Sequence, residues 1–494
     1  MPNSARVALL LLATVQATGS HAITRTWDPA VTAGDWFVGS NWLPAGVPGP
    51  GDDAELTDDG TYSVLLQPRP PFGNSEEVQS LAIGARIGQQ QLTIAGGTPP
   101  FQFTASGGTS IGPLGILESS SATINSEMYN AGLFRLQQTT VEAIFANAGQ
   151  VVVSDSNNHV ESWSEIQPSG QLQLREDAAL TIGKSFFTNV LTNDGLIQLD
   201  PQATAAGATL EVVGIAGINS FLPGDLINRG MLEFLANNQG GNVQHDLDAD
   251  LFNSGDVHVY ADASVAGDLQ NQAGGLLVLL PGLTGPEGPV LSVSDQFLNQ
   301  DQATIRVQTA AELAGDFVNQ AGGILELSAS PLSTGTIALT VPDNWVNHGV
   351  VDVGDPAGLA PAADLQLGPS TGALNNASSG ELNLNPGSGG ARNVAGDVSN
   401  SGLISGAGRI EGMLQNSGVV APTGMLEIAG TLEQQGGQFV VEVAGPIAGV
   451  DFGQLAVEGD VVLNGTLQLT FVNGYRPPVG KCFVRHGPIR RSGD

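Results

Sequence analysis

Residues 225–259 read DLINRGMLEFLANNQGGNVQHDLDADLFNSGDVHV and contain one phrase twice. The phrase is an apolar residue, any residue, Asn, a spacer, Gly, and then alternating apolar residues. Its two copies here are Leu226-Ile227-Asn228-Arg229-Gly230 and Leu251-Phe252-Asn253-Ser254-Gly255. A phrase that returns every few tens of residues indicates stacked structural units rather than one compact core.

The phrase continues along most of the chain. The residue two positions before each Asn is apolar, and the residues after the Gly alternate, as in Leu232-Glu233-Phe234 and Val257-His258-Val259. Alternation with a period of two puts apolar side chains on one face of a strand and polar ones on the other. Aligned on the Asn, the copies lie at Asn130, Asn147, Asn193, Asn228, Asn253, Asn271, Asn299, Asn319, Asn347, Asn376, Asn400 and Asn416.

The spacing of these Asn residues distinguishes between two all-β folds. Consecutive gaps run from 16 residues, after Asn400, to 29 residues, after Asn347. Two longer gaps, after Asn147 and after Asn193, predict an irregular unit each. A stack of hairpins would show a turn every 8–12 residues. One strong turn per unit instead predicts a right-handed parallel β-helix with an N-terminal cap.

The Asn and Gly of the phrase are predicted to turn the chain, because both residue types tolerate the left-handed backbone region. In a coil, the Asn side chains of successive rungs would also stack and hydrogen-bond along the axis. Such a ladder would explain why Asn fills the position. The structural turn residues predicted in this way are Asn228, Asn253, Asn271, Asn319, Asn347, Asn400 and Asn416.

Composition shifts divide the chain into five segments. Residues 1–22 have a positive start, a short apolar run and small residues at the end, which is typical of a secretory signal peptide. Residues 23–72 are rich in Trp, Pro and Gly, and 73–430 carry the repeat. Residues 431–480 are predicted to be a β segment that closes the solenoid. Residues 481–494 are basic and irregular, and we interpret them as a truncated or frame-shifted terminus, with a genuine basic tail as the alternative.

Trp27, Trp36 and Trp42 mark the segment 23–72 as the predicted cap. Open-ended stacks need an atypical terminal unit that covers the first apolar layer. The alternative function of these side chains is an exposed aromatic platform for glycans.

Bulk composition excludes several partners. The 494 residues have a net charge of -32, which disfavours nucleic acid and anionic surfaces. Beyond the signal peptide, no segment approaches the length of a transmembrane helix. The single cysteine, Cys482, cannot form a disulfide within the chain.

One polar cluster is a candidate metal site. Asp246, Asp248 and Asp250 are two residues apart and could offer carboxylates to Ca²⁺ from one strand face. A solvated rung edge is the alternative interpretation. Asp pairs also leave open a glycoside hydrolase or lyase, because hydrolysis needs two carboxyl groups beside the bond. Asp225, Asp268 and Asp316 are further candidates if the Gly-Asp copies of the repeat stack. No other residue is a candidate catalyst, and no cofactor other than Ca²⁺ is expected.

The rung phrase and the ending GTLEQQGGQFVVEVAGPIAGVDFGQLAVEGDVVLNGTLQLTFVNGYRPPVGKCF resemble secreted bacterial autotransporter-type or adhesin-type β-helix proteins. That family's phrase D-x-L-x-V-x-G is matched by Asp451, Leu455, Val457 and Gly459 with a two-residue insertion. The opening WDPAVTAGDWFVGSNWLPAGVPGPGDDAEL is similar to a leader of large repetitive bacterial surface proteins. The resemblance covers most of 23–480 and implies a passenger-like chain without the family's C-terminal membrane barrel.

Together, these features predict a secreted or cell-surface protein with a structural or adhesive role. Its elongated outer surface, rather than a catalytic pocket, would bind extracellular glycans or surface proteins. The enzyme named above is the alternative function.

Overall fold

The computed structural model describes residues 22–70, 72–183, 189–200, 207–214, 223–237, 243–282, 288–328, 336–341, 345–354, 361–367, 373–385 and 389–478. These residues form 48 strands and one short 3-10 helix, Gly39–Asn41. Nearly all of the predicted signal peptide, and the basic tail with Cys482, lie outside the described residues. The named strands pair in parallel except Trp42–Leu43, which runs antiparallel to Thr24–Trp27. The fold is an all-β parallel solenoid, as the repeat predicts.

Strands from successive coils stack into three sheets, which the chain visits in the same order in each coil. The first sheet contains the strands that end at the repeated Asn, together with four earlier strands that end at an apolar residue instead. Its members are Thr24–Trp27, Asp53–Leu56, Ser80–Ile83, Thr109–Ile111, Met128–Asn130, Val190–Asn193, Asp225–Asn228, Asp250–Asn253, Leu269–Asn271, Trp345–Asn347, Ala373–Asn376, Asp397–Asn400 and Leu414–Asn416.

The second sheet follows the turn, and the third completes the coil. The second contains Ala33–Asp35, Tyr62–Leu66, Gln90–Ala95, Gly115–Ser120, Leu133–Gln137, Gln150–Ser154, Gln171–Arg175, Leu196–Asp200, Met231–Phe234, Asp256–Val259, Leu276–Leu279, Thr304–Val307, Ile324–Leu327, Val350–Val353 and Glu381–Leu384. The third contains Ser75–Val78, Phe101–Ala105, Ala122–Asn125, Ala179–Ile182, Thr209–Val212, Gln244–Asp248, Asp262–Val265, Ile337–Val341, Pro361–Leu367, Gly389–Ala395 and Gln454–Val457. Longer strands pass from one sheet into the next: Thr140–Asn147, Asn158–Ile166, Val290–Asn299, Ala311–Asn319, Leu403–Ile410, Val419–Ile428, Leu432–Val443 and Val461–Phe471.

The apolar columns predicted from the repeat form the core. Residues two before the Asn lie in register on successive coils and are buried, for example Leu226, Leu251 and Leu269. The alternating residues after the turn, such as Leu232 and Phe234, are also buried. The core is therefore one continuous apolar column, and each layer contacts mainly the layers next to it.

The repeated Asn side chains form the axial ladder expected from the sequence. Each is the last residue of its strand and is at most 1% exposed. From Asn193 to Asn416, the Nδ2 of each donates to the Oδ1 of the next at 2.6–2.9 Å. The second Nδ2 proton is also used, as when Asn228 Nδ2 donates to the carbonyl oxygen of Asp256 at 3.0 Å. The ladder satisfies buried amides that would otherwise cost about 1–3 kcal/mol each.

The reason expected for Asn and Gly in the turn was partly wrong. None of the ladder Asn residues has a positive φ, and neither do Gly230, Gly255 and Gly349. These glycines are needed because a Cβ would collide with a backbone carbonyl of the preceding coil; for Gly230 that carbonyl belongs to Gly195. Close stacking of backbones, rather than a left-handed conformation, therefore selects Gly here.

The two long gaps in the repeat differ. After Asn147 there is an irregular coil, in which Ile166 occupies the ladder position in register with both Asn147 and Asn193. After Asn193 no coil intervenes, because Asn193 pairs directly with Asn228. The second irregular unit was therefore wrongly predicted. Ile166 is fully buried and divides the ladder into two parts.

The N-terminal end of the core is covered by an aromatic cluster. Trp27, Trp36 and Trp42 are all 0% exposed. The Trp42 ring lies edge-on to both others, with centroids 5.2 Å from Trp27 and 4.8 Å from Trp36. The alternative of an exposed glycan platform is wrong for these side chains, because their rings are inaccessible.

The C-terminal end is open among the described residues. The strand Val461–Phe471 pairs in parallel with Leu432–Val443 and continues its inward positions. Its inward side chains Leu463 and Phe471 are nevertheless 66% and 46% exposed. In the described part of the chain, this strand therefore extends the core by one layer and does not close it.

Candidate binding face on the first sheet

The outer face of the first sheet carries a row of side chains of which five are apolar and one, Gln270, is polar. Each lies between the buried apolar residue and the Asn of its strand, so it points outward. Register pairing aligns these side chains on six successive coils, one above the other, and each is partly exposed. The row consists of Ile227, Phe252, Gln270, Leu298, Val318 and Val346. With about 4.8 Å between paired strands, it extends for roughly 24 Å along the axis.

The corresponding row on the second sheet is mostly polar, and most of its polar side chains are paired. Gln198 Nε2 donates to Glu233 Oε2 at 2.7 Å, and Glu233 lies 3.7 Å from His258. Farther along, Arg306 Nε bonds Glu326 Oε2 at 2.9 Å. Gln198 with Glu233 and Arg306 with Glu326 therefore pair along the axis, whereas His258 Nδ1 makes no hydrogen bond among the described residues and Val278 lies between His258 and Arg306. In the first-sheet row, Gln270 Oε1 accepts a hydrogen bond from Gln300 Nε2 at 3.1 Å. The other five side chains are apolar and offer their partly exposed surface to a ligand.

A row of carboxylates borders the apolar row on its N-terminal side. Asp225 and Asp250 are register neighbours, and Asp250 Oδ1 accepts the backbone N–H of Asp268 at 2.8 Å. Burial raises the pKa of Asp225. Burial, and then the charges of Asp268, Asp225 and Asp295, raise the pKa of Asp250, while the backbone hydrogen bond opposes the shift. These acids are therefore partly desolvated and repel one another.

A shallow depression of about 340 Å³ lies where the two rows meet the turn. It spans three coils. Its lining consists of Asp225, Ile227, Arg229, Phe252, Ser254 and Gln272. The floor is apolar, and the rim combines a carboxylate, a guanidinium, a hydroxyl and an amide. Such a combination is typical of sites that bind a polar organic molecule by contact and directed hydrogen bonds.

The candidate metal ligands do not lie on one face. Asp246 and Asp248 are on the third-sheet strand Gln244–Asp248, whereas Asp250 begins the next first-sheet strand after buried Ala249. Asp246 Oδ1 accepts hydrogen bonds from the side chain of Ser264 at 2.5 Å and from that of Gln244. Among the described residues, no group of three His, Cys, Asp or Glu side chains is placed to hold a metal ion. The expected common face was wrong because the chain bends at Ala249.

His245, beside those acids, is a structural residue. It is 0% exposed, its Nδ1 accepts the backbone N–H of Ala208 at 3.0 Å, and its Nε2 lies 2.9 Å from the carbonyl oxygen of Leu235. This pairing requires the neutral ring with the proton on Nε2. Burial lowers its pKa, against smaller opposing contributions from these hydrogen bonds. The ring is therefore not available as a ligand.

Sequence reasoning did not find the depression. Asp225 was considered only as a candidate carboxylate of an enzyme, and the position before each Asn was treated as free to hold any residue. A signal was present, since that position is apolar in Ile227, Phe252, Leu298 and Val318, where an outward residue is expected to be polar. Only the register shows that these residues are neighbours.

Comparisons with known proteins do not identify this chain. No model of a known protein family matches the chain, and neither a curated protein nor a solved structure does. In the described part of the chain, no helix has the length and hydrophobicity needed to cross a membrane. The chain is thus a parallel β-solenoid whose likeness to autotransporter-type passengers is one of sequence pattern.

Proposed function

We propose that this protein is a secreted or cell-surface solenoid with a structural or adhesive role. In this proposal, its first-sheet face binds extracellular glycans or surface proteins without catalysis. The observation that supports it best is the row from Ile227 to Val346, in which five of six register-aligned outward side chains are apolar. Such rows on a stable protein are typical of interaction surfaces.

The architecture supports an extended contact rather than a deep site. Repeated coils present the same outward positions at a constant spacing, and solenoids use such surfaces to bind elongated partners. The net charge of -32 favours neutral or basic partners over polyanions.

The test is a binding assay with the full chain immobilised over panels of extracellular glycans and surface proteins. A variant that combines Leu298→Ser and Val318→Ser removes apolar contact from the middle of the row. A matched variant, Ile144→Ser with Met425→Ser, changes two exposed apolar side chains outside the row. We expect the first variant to lose binding and the second to retain it. Equal binding by both variants, or no binding by the wild type, would contradict the proposal.

The alternative function, a polysaccharide hydrolase or lyase, has one observation in its favour. Asp225 and Asp250 are register neighbours beside the depression, and burial raises the pKa of both. Hydrolysis with retention of configuration uses two carboxyl groups about 5–5.5 Å apart. Release of reducing ends or unsaturated products by the wild type, abolished by Asp225→Asn, would favour the enzyme.

A further inference from the structure

The floor of the depression is formed by two side chains on adjacent coils. Ile227 and Phe252 are register partners on the outer face, and both are partly exposed. An aromatic ring beside an aliphatic side chain forms a rigid apolar platform that can lie against the C–H face of a ring-shaped ligand. A flat, partly apolar ligand therefore fits this floor.

Opposite charges on the rim point to a ligand without net charge. Asp225 makes no side-chain hydrogen bond within the described part of the chain, and Arg229 is 58% exposed, with Nη1 4.0 Å from Asp194 Oδ1. The Asp225 carboxylate can accept hydrogen bonds and the Arg229 guanidinium can donate them across the same floor. Ser254 and Gln272 can do both. Hydroxyl groups, which donate and accept, match this rim better than a carboxylate or an ammonium group does.

The apolar row continues beyond the depression at a regular step. After Gln270 on the next coil, Leu298, Val318 and Val346 follow at successive coils, each about 4.8 Å from the next. That step is close to the length of one pyranose residue in a linear polysaccharide. A sugar chain laid along the axis can therefore meet a new side chain at each residue.

We propose that the depression binds one sugar of an uncharged polysaccharide whose chain runs along the row towards Val346. This inference rests on the proposed adhesive function and names its ligand class and its anchoring site. Phe252 and Ile227 pack against the sugar ring, Asp225 accepts hydrogen bonds from its hydroxyl groups, and Arg229 and Gln272 donate hydrogen bonds to its oxygens.

The test is calorimetric titration of the full chain with cellohexaose, mannohexaose, xylohexaose and maltohexaose, and with hexagalacturonate as an anionic comparison. The variants are Phe252→Ala and Asp225→Asn, and the matched control is Tyr129→Ala. Tyr129 is an aromatic side chain at the equivalent outward position, 47% exposed, on a coil before the apolar row. Circular dichroism and melting temperature establish that each variant is folded.

We expect at least one neutral hexasaccharide to bind and hexagalacturonate not to bind. Phe252→Ala and Asp225→Asn should each weaken affinity about tenfold or more, while Tyr129→Ala leaves it unchanged. Binding that responds equally to Phe252→Ala and Tyr129→Ala would overturn the site and leave the adhesive function intact. Binding of protein partners alone would overturn the ligand class. A wild type that binds no glycan and no protein would overturn the inference and the proposed function together.

Discussion

The two ends of the solenoid differ in whether their terminal apolar layer is covered. At the N-terminal end, Trp27, Trp36 and Trp42 cover the first apolar layer and are 0% exposed. At the other end, the inward residues of Val461–Phe471 continue the same columns, and Leu463 is 66% exposed. A stack of identical layers cannot terminate itself, because each layer leaves one apolar surface for the next. The covering must come from residues outside the repeat, and the described chain supplies them at one end only.

The polar ladder shows the same asymmetry. Before its first member, Asn130, the equivalent position is held by Ile111, which is buried and needs no polar partner. At the other end, Asn416 Nδ2 donates to Gln434 Oε1 at 2.9 Å. The Nε2 of Gln434 is buried and has no hydrogen-bond partner within the described part of the chain, and its register neighbour is Leu463. One end of the ladder is therefore satisfied and the other is not.

The largest expected effect comes from opening the covered end with Trp42→Ala. This change removes two edge-on ring contacts and the hydrogen bond from Trp42 Nε1 to the carbonyl oxygen of Trp36. We expect the free energy of unfolding to fall by about 3–5 kcal/mol, the range for large buried aromatics. Urea unfolding followed by circular dichroism measures the change.

Leu467→Ala at the open end is the control, because Leu467 is already 48% exposed. Leu467→Ala should lower the free energy of unfolding far less than Trp42→Ala does. Hydrogen exchange should show that Trp42→Ala weakens the first coils and leaves distant coils protected, since stability in a stack is carried between neighbours. Equal losses from the two variants would mean that the Trp cluster is not a cap.

A smaller effect on stability is expected from Glu76, whose carboxyl group accepts a hydrogen bond from Trp36 of the aromatic cluster. Burial raises the pKa of Glu76 to about 7 from an ordinary 4.5, and the hydrogen bond from Trp36 Nε1 opposes part of this shift. The folded state therefore holds this proton more tightly than the unfolded chain does. Its contribution to stability is fully present below pH 4.5 and is lost as the pH rises through 7.

Glu76→Gln should remove that dependence. We expect the variant to be more stable than the wild type above pH 7 and equal to it below pH 4.5, by thermal unfolding across the range. Glu77→Gln, an exposed acid on the same strand, should change stability little at either pH. A difference between Glu76→Gln and the wild type that does not vary with pH would contradict the assignment.

Much of the interior could be predicted from the sequence because each coil repeats the same local pattern. Alternation identified buried Leu232 and Phe234, and the recurrence of Asn228 and Asn253 predicted the axial ladder. These features depend on which face of a strand a residue occupies, and a period of two determines that without knowledge of the neighbouring coil.

Features that depend on the register between coils could not be predicted. Ile166 takes a ladder position without the Asn that marks it, although Gly170 and the alternating residues after it gave a weak signal. Asp225 and Gln272 are far apart in sequence and lie two coils apart, yet both line the depression. The lengths of the intervening loops bring them together. Loop length changes from coil to coil, so no fixed spacing brings such residues together.

The open end predicts self-association. Among the described residues, the strand Val461–Phe471 pairs only with Leu432–Val443, and an exposed apolar strand at a sheet edge favours pairing with another chain. We expect Leu469→Thr to weaken concentration-dependent association in sedimentation velocity, and to change the free energy of unfolding by less than about 1 kcal/mol. The substitution keeps the charge constant, so repulsion between acidic chains stays the same. If the variant associates as the wild type does, the contact between chains does not involve the strand Val461–Phe471.

The smallest expected effect tests the unsatisfied end of the ladder. Leu463→Asn puts an amide oxygen in register with Gln434, whose Nε2 is buried without a partner. A new hydrogen bond there adds about 0.5–1.5 kcal/mol, reduced by the exposure of this end and by the loss of leucine contacts. We expect the free energy of unfolding to rise by about 0.5 kcal/mol. The gain should vanish when Gln434 is replaced by Met, because a double-mutant cycle isolates the new bond. A gain that persists with Gln434→Met would show that the open end is improved by a polar surface and not by continuing the ladder.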